Sequence, residues 1–309
     1  MNRENNTLQI LRILLKVLRL IGKIIAGIFL TYAVIFAIAG TTAIIVAYRY
    51  ISKPVLEVKK LRNQNPVETK YMKKCKETLK DSTGSDSLLH AFVPLDSISP
   101  VLVKAVIAAE DDGFYIHPGF DLVAILNAYE YNRTKNRLKH GASTITQQMA
   151  KNLFVGGDKT FTRKYQELAY TILMETILGK ERILELYMNY AQWGKNIFGC
   201  EAAAQYYFGK SCTKLTVDQA ARLAAVLAKP NRLNPHYTKS ILLNKRLRVI
   251  GDNLYRRHII NDSLYIHIAG TDSLIHVLNA KRLNSASKQC LLKNNPEKDT
   301  HPLKRQLHF

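Results

Sequence analysis

Residues 110–121 of this sequence read EDDGFYIHPGFD, three acids in a row behind the apolar, helix-forming run VLVKAVIAA. Glu110 therefore falls at a helix C-terminus, where the negative end of the dipole disfavours a carboxylate charge and raises its proton affinity. A carboxylate made more basic beside an apolar wall suits a general base; the same acids would equally suit a solvated helix end. His117 reads as a structural hydrogen-bonding residue. A second stretch, 141–154, is GASTITQQMAKNLF. On a helix, Thr144, Gln148 and Lys151 fall at i, i+4 and i+7 with Asn152 beside them. A face of hydroxyl, amide and ammonium groups is suited to hold something polar and anionic, although Ser143 and Thr144 also fit a simple helix cap. In the third stretch, KTFTRKYQE, Lys159, Arg163 and Glu167 share one helical face and Lys164 adjoins it. Such spaced charges commonly do no more than support an exposed helix. The fourth, from 180 to 210, and the DQAARLAAVLAKPNRLNP that follows read as packing signals: apolar residues at helical spacing, with glycines at turns.

The elements that must position these groups are mainly helical. Ser99-Pro100 has the pattern of a helix start, with Ser at the N-cap and Pro in the first turn. Thr144 with Gln147, and Thr216 with Gln219, are capping-box pairs. Gly209 and Lys229-Pro230 read as helix stops. Few segments alternate with period two, so the fold class is mainly α. A further helix is expected over 238–258 and a polar, disordered tail from about 284.

Charge is the one unusual bulk property: 45 Lys and Arg against 24 Asp and Glu leave +21. Such an excess favours nucleic acid, an anionic membrane surface or a phosphorylated substrate. Residues 24–47 carry no charge and would span roughly 30 Å of hydrocarbon as a helix. That run exceeds the apolar region of a cleavable signal peptide, so an uncleaved transmembrane anchor is expected. Basic residues flank both of its ends, which leaves the topology open on charge alone. The predicted organisation is a tail over 1–23, the anchor over 24–47, a connector over 48–97 with little core of its own, a catalytic domain over 98–240, and a helical extension with a polar tail over 241–309. The four cysteines, Cys75, Cys200, Cys212 and Cys290, show no metal-ligand spacing, and nothing in the sequence identifies a disulfide pair.

Taken in order, EDxxFxxHxG, GxSTxxQQxxKN, RKxxE and ILExYxN resemble the glycosyltransferase family 51 domain, found in monofunctional transglycosylases and in bifunctional class A penicillin-binding proteins. The resemblance covers about residues 98–235. It implies a lysozyme-like, two-lobed, mainly α domain, extracytoplasmic on a single-pass anchor in the bacterial inner membrane. It implies lipid II as substrate, with the nascent glycan strand, the inner membrane and other proteins of cell-wall synthesis as partners, and no nucleic acid. By motif position Glu110 would be the base and Glu167 the second carboxylate. Ser143, Thr144, Gln148, Lys151, Asn152, Lys159, Arg163 and Lys164 would line the donor's diphosphate-sugar site. Asp111, Phe114, His117 and Lys229 would be acceptor-side or structural. The resemblance leaves room for a divalent cation, Mg2+ or Mn2+, at Glu167 and carries no certain cofactor. Lys159 departs from the Arg of many family members, keeping the charge and losing the bidentate fork.

One carboxylate base with a Lys/Arg cluster suits a glycosyl diphosphate donor, whose leaving group needs cations rather than a general acid. A hydrolytic glycosidase typically pairs an acid with a nucleophile or base, which disfavours a muramidase. An inactive lipid II-binding scaffold is the alternative, opposed by the intact Glu110, Lys151, Arg163 and Glu167. SCTK at Ser211 and SASK at Ser285 match one transpeptidase box, but no KTG occurs, so a monofunctional enzyme is expected.

Overall fold

A computed structural model of the chain describes residues 2–135, 143–156 and 161–270. It divides into two units, Met1–Lys60 and a second beginning at Leu61. The first is one helix, α1 (Asn2–Lys60), whose most apolar window has a mean hydropathy of 2.2, long and apolar enough to cross a membrane. Phe29, Leu30, Phe36 and Ile44 are exposed on it. Thr31, Thr41 and Thr42 fold their hydroxyls back onto carbonyls three or four residues earlier, so these polar side chains need no outside partner.

The second unit is built on α3 (Pro100–Glu110), α9 (Val217–Val226), α10 (Ile241–Arg256) and α11 (Asp262–Ala269). The mainly α expectation holds: among the described residues the β structure is a bridge and a two-stranded parallel sheet, β1 (Leu89–His90) on β2 (Ile197–Phe198). Helix α3 is apolar around most of its circumference, and Leu102, Ala105, Val106, Ala108 and Ala109 are buried, as suits a central helix. Pro100 opens it, but the Ser99 side chain makes no cap bond. Both expected capping boxes form, at Thr144/Gln147 and Thr216/Gln219, and Gly209 ends its helix in the left-handed region.

Helices α10 and α11, assigned to an extension by sequence pattern, pack against α3 and α9. Their anchor is polar: Asn253 donates to the Ala108 carbonyl at 2.7 Å and Arg246 to the Ala109 carbonyl at 2.8 Å, satisfying two orphan carbonyls at the end of α3. The tail from 284 lies outside the described residues.

The expected connector over 48–97 holds the end of α1, helix α2 (Lys70–Thr83) and β1. Side chains of α7 (Lys180–Tyr190) hold its backbone. Arg182 donates to the carbonyls of Leu61 and Gln64, Tyr190 to that of Pro66, and the Leu95 amide to Glu185. Asn189 accepts from the Val93 amide and donates to its carbonyl, each at 2.8 Å. The ILELYMNY stretch thus does more than pack: its polar residues supply partners to a segment with few of its own. Asn189 is fully buried, so Asn189→Ala strands Val93 at a cost of about 1–3 kcal/mol per unpaired group. The midpoint of chemical unfolding should fall accordingly; an unchanged midpoint would show that water replaces these bonds.

Candidate active site

Helix α3 ends in the acidic run, and each acid has its own partner. The Glu110 carboxylate receives Gln148 Nε2 at 2.9 Å on one oxygen and an ion pair from Arg246 on the other. Asp111 accepts from His117 Nε2 at 2.7 Å and from the Ile145 amide at 2.9 Å. Asp112 accepts from Arg257 Nε at 2.7 Å. Because the Gly119 amide donates to His117 Nδ1 at 3.1 Å, the ring proton sits on Nε2, facing Asp111. Asp111 and His117 thus fasten the loop to the start of α5 (Ile145–Ala150). Gly119 has φ +91, and a Cβ there would meet Glu175 and Thr171 at 2.7 and 2.8 Å, so the loop requires glycine. Phe114 is fully buried beneath the Lys180 ammonium, 4.6 Å from its ring centroid.

Thr144, expected at a donor site, is 3% exposed. Its hydroxyl donates to the Gly119 carbonyl at 2.6 Å and accepts from the Gln147 amide, so it is spent on the fold. Gln148 lies one turn on. Tyr187 donates to its Oε1 at 3.1 Å, which directs Nε2 toward Glu110. Lys151, three residues on, lines the cleft, and beyond it the backbone widens in a π-helical turn, Lys151–Val155. Helix α6 (Phe161–Ile177) supplies Arg163, Lys164 and Glu167. Glu167 is buried and receives Lys164 Nζ at 2.5 Å.

These groups line a cleft of about 350 Å³: Glu110 from α3, Ser143, Gln148 and Lys151 from the segment around α5, and Arg163, Lys164 and Glu167 from α6, together with Leu227 and Ala228. Three cations, Lys151, Arg163 and Lys164, face two carboxylates. Among the described residues Lys151 has no ion-pair partner, and the buried Nε of Arg163 has no hydrogen-bond partner. Asn152 and the exposed Lys229 are not among the lining residues. Lys159 lies outside the described residues. No cluster of three His, Cys, Asp or Glu that could hold a metal occurs among the described residues. With Lys164 on Glu167, this donor set does not fit a metal held by side chains alone.

The carboxyl of Glu110 is pushed above its ordinary value of 4.5, first by burial, against the opposing effects of Arg246 and Gln148. The direction agrees with the sequence argument, and burial is its largest cause. Tyr187 is raised well above 10.0 by burial and by the Glu110 charge, so it remains a neutral donor. Sequence reasoning missed Arg246 and the polar role of Tyr187. Arg246 is one of 45 basic residues and lies beyond the motifs, while Tyr187 sits in a run that read as packing.

The profile of the Transglycosylase family matches residues 76–254, a span that reaches into α10 and includes Arg246. Proteins named biosynthetic peptidoglycan transglycosylase are similar. That of Nitrosospira multiformis is 45% identical over 187 residues, 60% of this chain and 81% of its own. That of Herminiimonas arsenicoxydans is 45% identical over 174 residues, 56% and 75%. Penicillin-binding protein 1A from Haemophilus influenzae aligns at 19% identity with a TM-score of 0.32, over 59% of this chain and 17% of its own, a likeness too loose to carry weight. The chain belongs to the Transglycosylase family.

The raised proton affinity of Glu110 has a signed consequence for stability. A carboxyl that binds its proton more tightly folded than unfolded contributes fully below its unfolded value, and that contribution is lost as pH rises through the folded value. Removing Arg246 takes away the charge that limits the shift. In Arg246→Met the deficit in unfolding midpoint relative to wild type should therefore widen as pH rises above 4.5. A deficit independent of pH would mean that Arg246 stabilises only by packing.

Proposed function

We propose that this protein polymerises lipid II, an undecaprenyl-diphosphate-linked disaccharide, into β-1,4-linked glycan strands. The observation that carries the reading is the make-up of the cleft: Glu110, a carboxylate of raised proton affinity, shares it with Lys151, which has no ion-pair partner among the described residues, and with Arg163. The buried Arg163 Nε, a donor without a partner among the described residues, is fitted to an anionic ligand, because an unmet buried donor carries a desolvation cost that an incoming oxygen removes. The names of the related proteins and the four motifs support the same substrate class.

In this reading the acceptor's GlcNAc 4-hydroxyl attacks the donor's anomeric carbon and gives its proton to Glu110. The bond from that carbon to the diphosphate oxygen breaks with inversion, and undecaprenyl diphosphate leaves. Lys151 and Arg163 stabilise the charge that grows on the leaving oxygen, while Lys164 holds Glu167 beside them. Gln148 and Arg246 are positioning residues for Glu110. The apolar stretch of α1 would anchor the chain in the inner membrane, with the catalytic unit on the extracytoplasmic side, where peptidoglycan is assembled.

The test is polymerisation of labelled lipid II by the purified full chain in detergent. Glu110→Gln should lose about 10²–10⁴ or more in rate while remaining folded; a folded variant with near-normal turnover would remove Glu110 as the base. Lys151→Ala and Arg163→Ala should each weaken the donor's diphosphate contacts by about 1–3 kcal/mol, with part of the loss in kcat because the leaving charge grows in the transition state. A wild-type protein that binds lipid II without polymerising it would favour the inactive scaffold.

A further inference from the structure

Two cysteines outside the cleft meet in the fold. Cys200 is the first residue of α8 (Cys200–Phe208), and Cys212 begins the 3-10 turn that follows it, Cys212–Lys214. Both are fully buried and unjoined in the structure, and α8 packs against the turn that carries Cys212. Their approach is enforced by the neighbouring acid. Glu201 accepts from the Cys212 backbone amide at 2.7 Å and from the Ser211 hydroxyl at 3.0 Å, which ties the start of α8 to the start of the turn. Gly209, with φ +61, reverses the chain between them. Cys75 is elsewhere, against Tyr71.

We propose that Cys200 and Cys212 form a structural disulfide when this unit folds under oxidising conditions, closing the loop from α8 to its following turn. The proposal draws on the extracytoplasmic reading for its compartment, since disulfides persist outside the reducing cytoplasm. The reaction is thiol–disulfide exchange with a disulfide-bearing oxidant protein or oxidised glutathione. One cysteine thiolate attacks the oxidant's disulfide and expels one of its sulfurs as thiolate. The second attacks the mixed disulfide, forming the Cys200–Cys212 bond and releasing the other sulfur. Two protons leave the cysteines, and the two electrons reduce the oxidant's disulfide to two thiols. In the folded unit the Cys200 thiol is pushed well above its ordinary value by the adjacent Cys212 thiol and by burial, and neither sulfur is exposed. Exchange therefore precedes the burial of α8, and the finished bond is shielded from reductant.

The test uses the full chain purified from membranes with free thiols blocked at lysis by an alkylating agent in denaturant. Trypsin cuts at Lys195, Lys210 and Lys214, so the pair is recovered as peptide 196–210 joined to 211–214, and reduction separates them. The linked peptide in most of the protein is the expected result. In a second arm the reduced, unfolded chain is refolded in a glutathione redox buffer and analysed in the same way. The linked peptide in the refolded sample alone would support the pairing and count against the extracytoplasmic compartment. Free Cys200 and Cys212 in both arms, or either one joined to Cys75 or Cys290, would overturn the proposal.

Discussion

A carboxylate that is to take a proton from a sugar hydroxyl must be dry enough to want the proton and held firmly enough to stay charged. Much of the second unit serves that requirement at Glu110. Burial raises its proton affinity, and Arg246 and Gln148 restrain the rise. A row of side chains, Tyr187 to Gln148 to Glu110 to Arg246, crosses from α7 through α5 and α3 to α10. Four helices therefore meet on one carboxylate. An ion pair so enclosed is weak evidence for stability, because its desolvation offsets much of its attraction. It does fix where the carboxylate points, which is what a base requires.

The second demand is a cationic wall that the base does not neutralise. Helix α5 meets it: Gln148 and Lys151, three residues apart, share one helical face, and both line the cleft. The backbone widens only after Lys151, in the turn Lys151–Val155. Helix α6 supplies Arg163 and Lys164. Pairing Lys164 with Glu167 leaves Lys151 and Arg163 as the cations with capacity for a diphosphate.

The sequence revealed most of the cleft and less of what supports it. Glu110, Gln148, Lys151, Arg163, Lys164 and Glu167 were legible because their spacing put them on helical faces and their types matched one chemistry. The mainly α fold was legible from capping boxes and from the lack of period-two alternation. Thr144 misled because a capping hydroxyl and a ligand-binding hydroxyl look alike in sequence; only the Gly119 carbonyl, 25 residues away in the chain, shows that it is engaged. Arg246 and Asn253 were illegible for a similar reason. Their role is to meet the carbonyls of a helix more than 130 residues earlier, and no local pattern encodes such a contact. The connector's attachment to Asn189 and Arg182 is likewise a tertiary fact. Polar residues that serve distant backbone carry no periodicity of their own.

The central claim is that Glu110 is a base tuned by burial and restrained by Arg246. The most direct measurement is the pH dependence of kcat/KM for lipid II polymerisation by wild type and Arg246→Met, at fixed salt and detergent. The acid limb reports the free enzyme's base. It should lie above 4.5 in wild type and move to higher pH in Arg246→Met, where nothing opposes desolvation but Gln148. An acid limb at the ordinary glutamate value, unmoved by the loss of Arg246, would contradict the account.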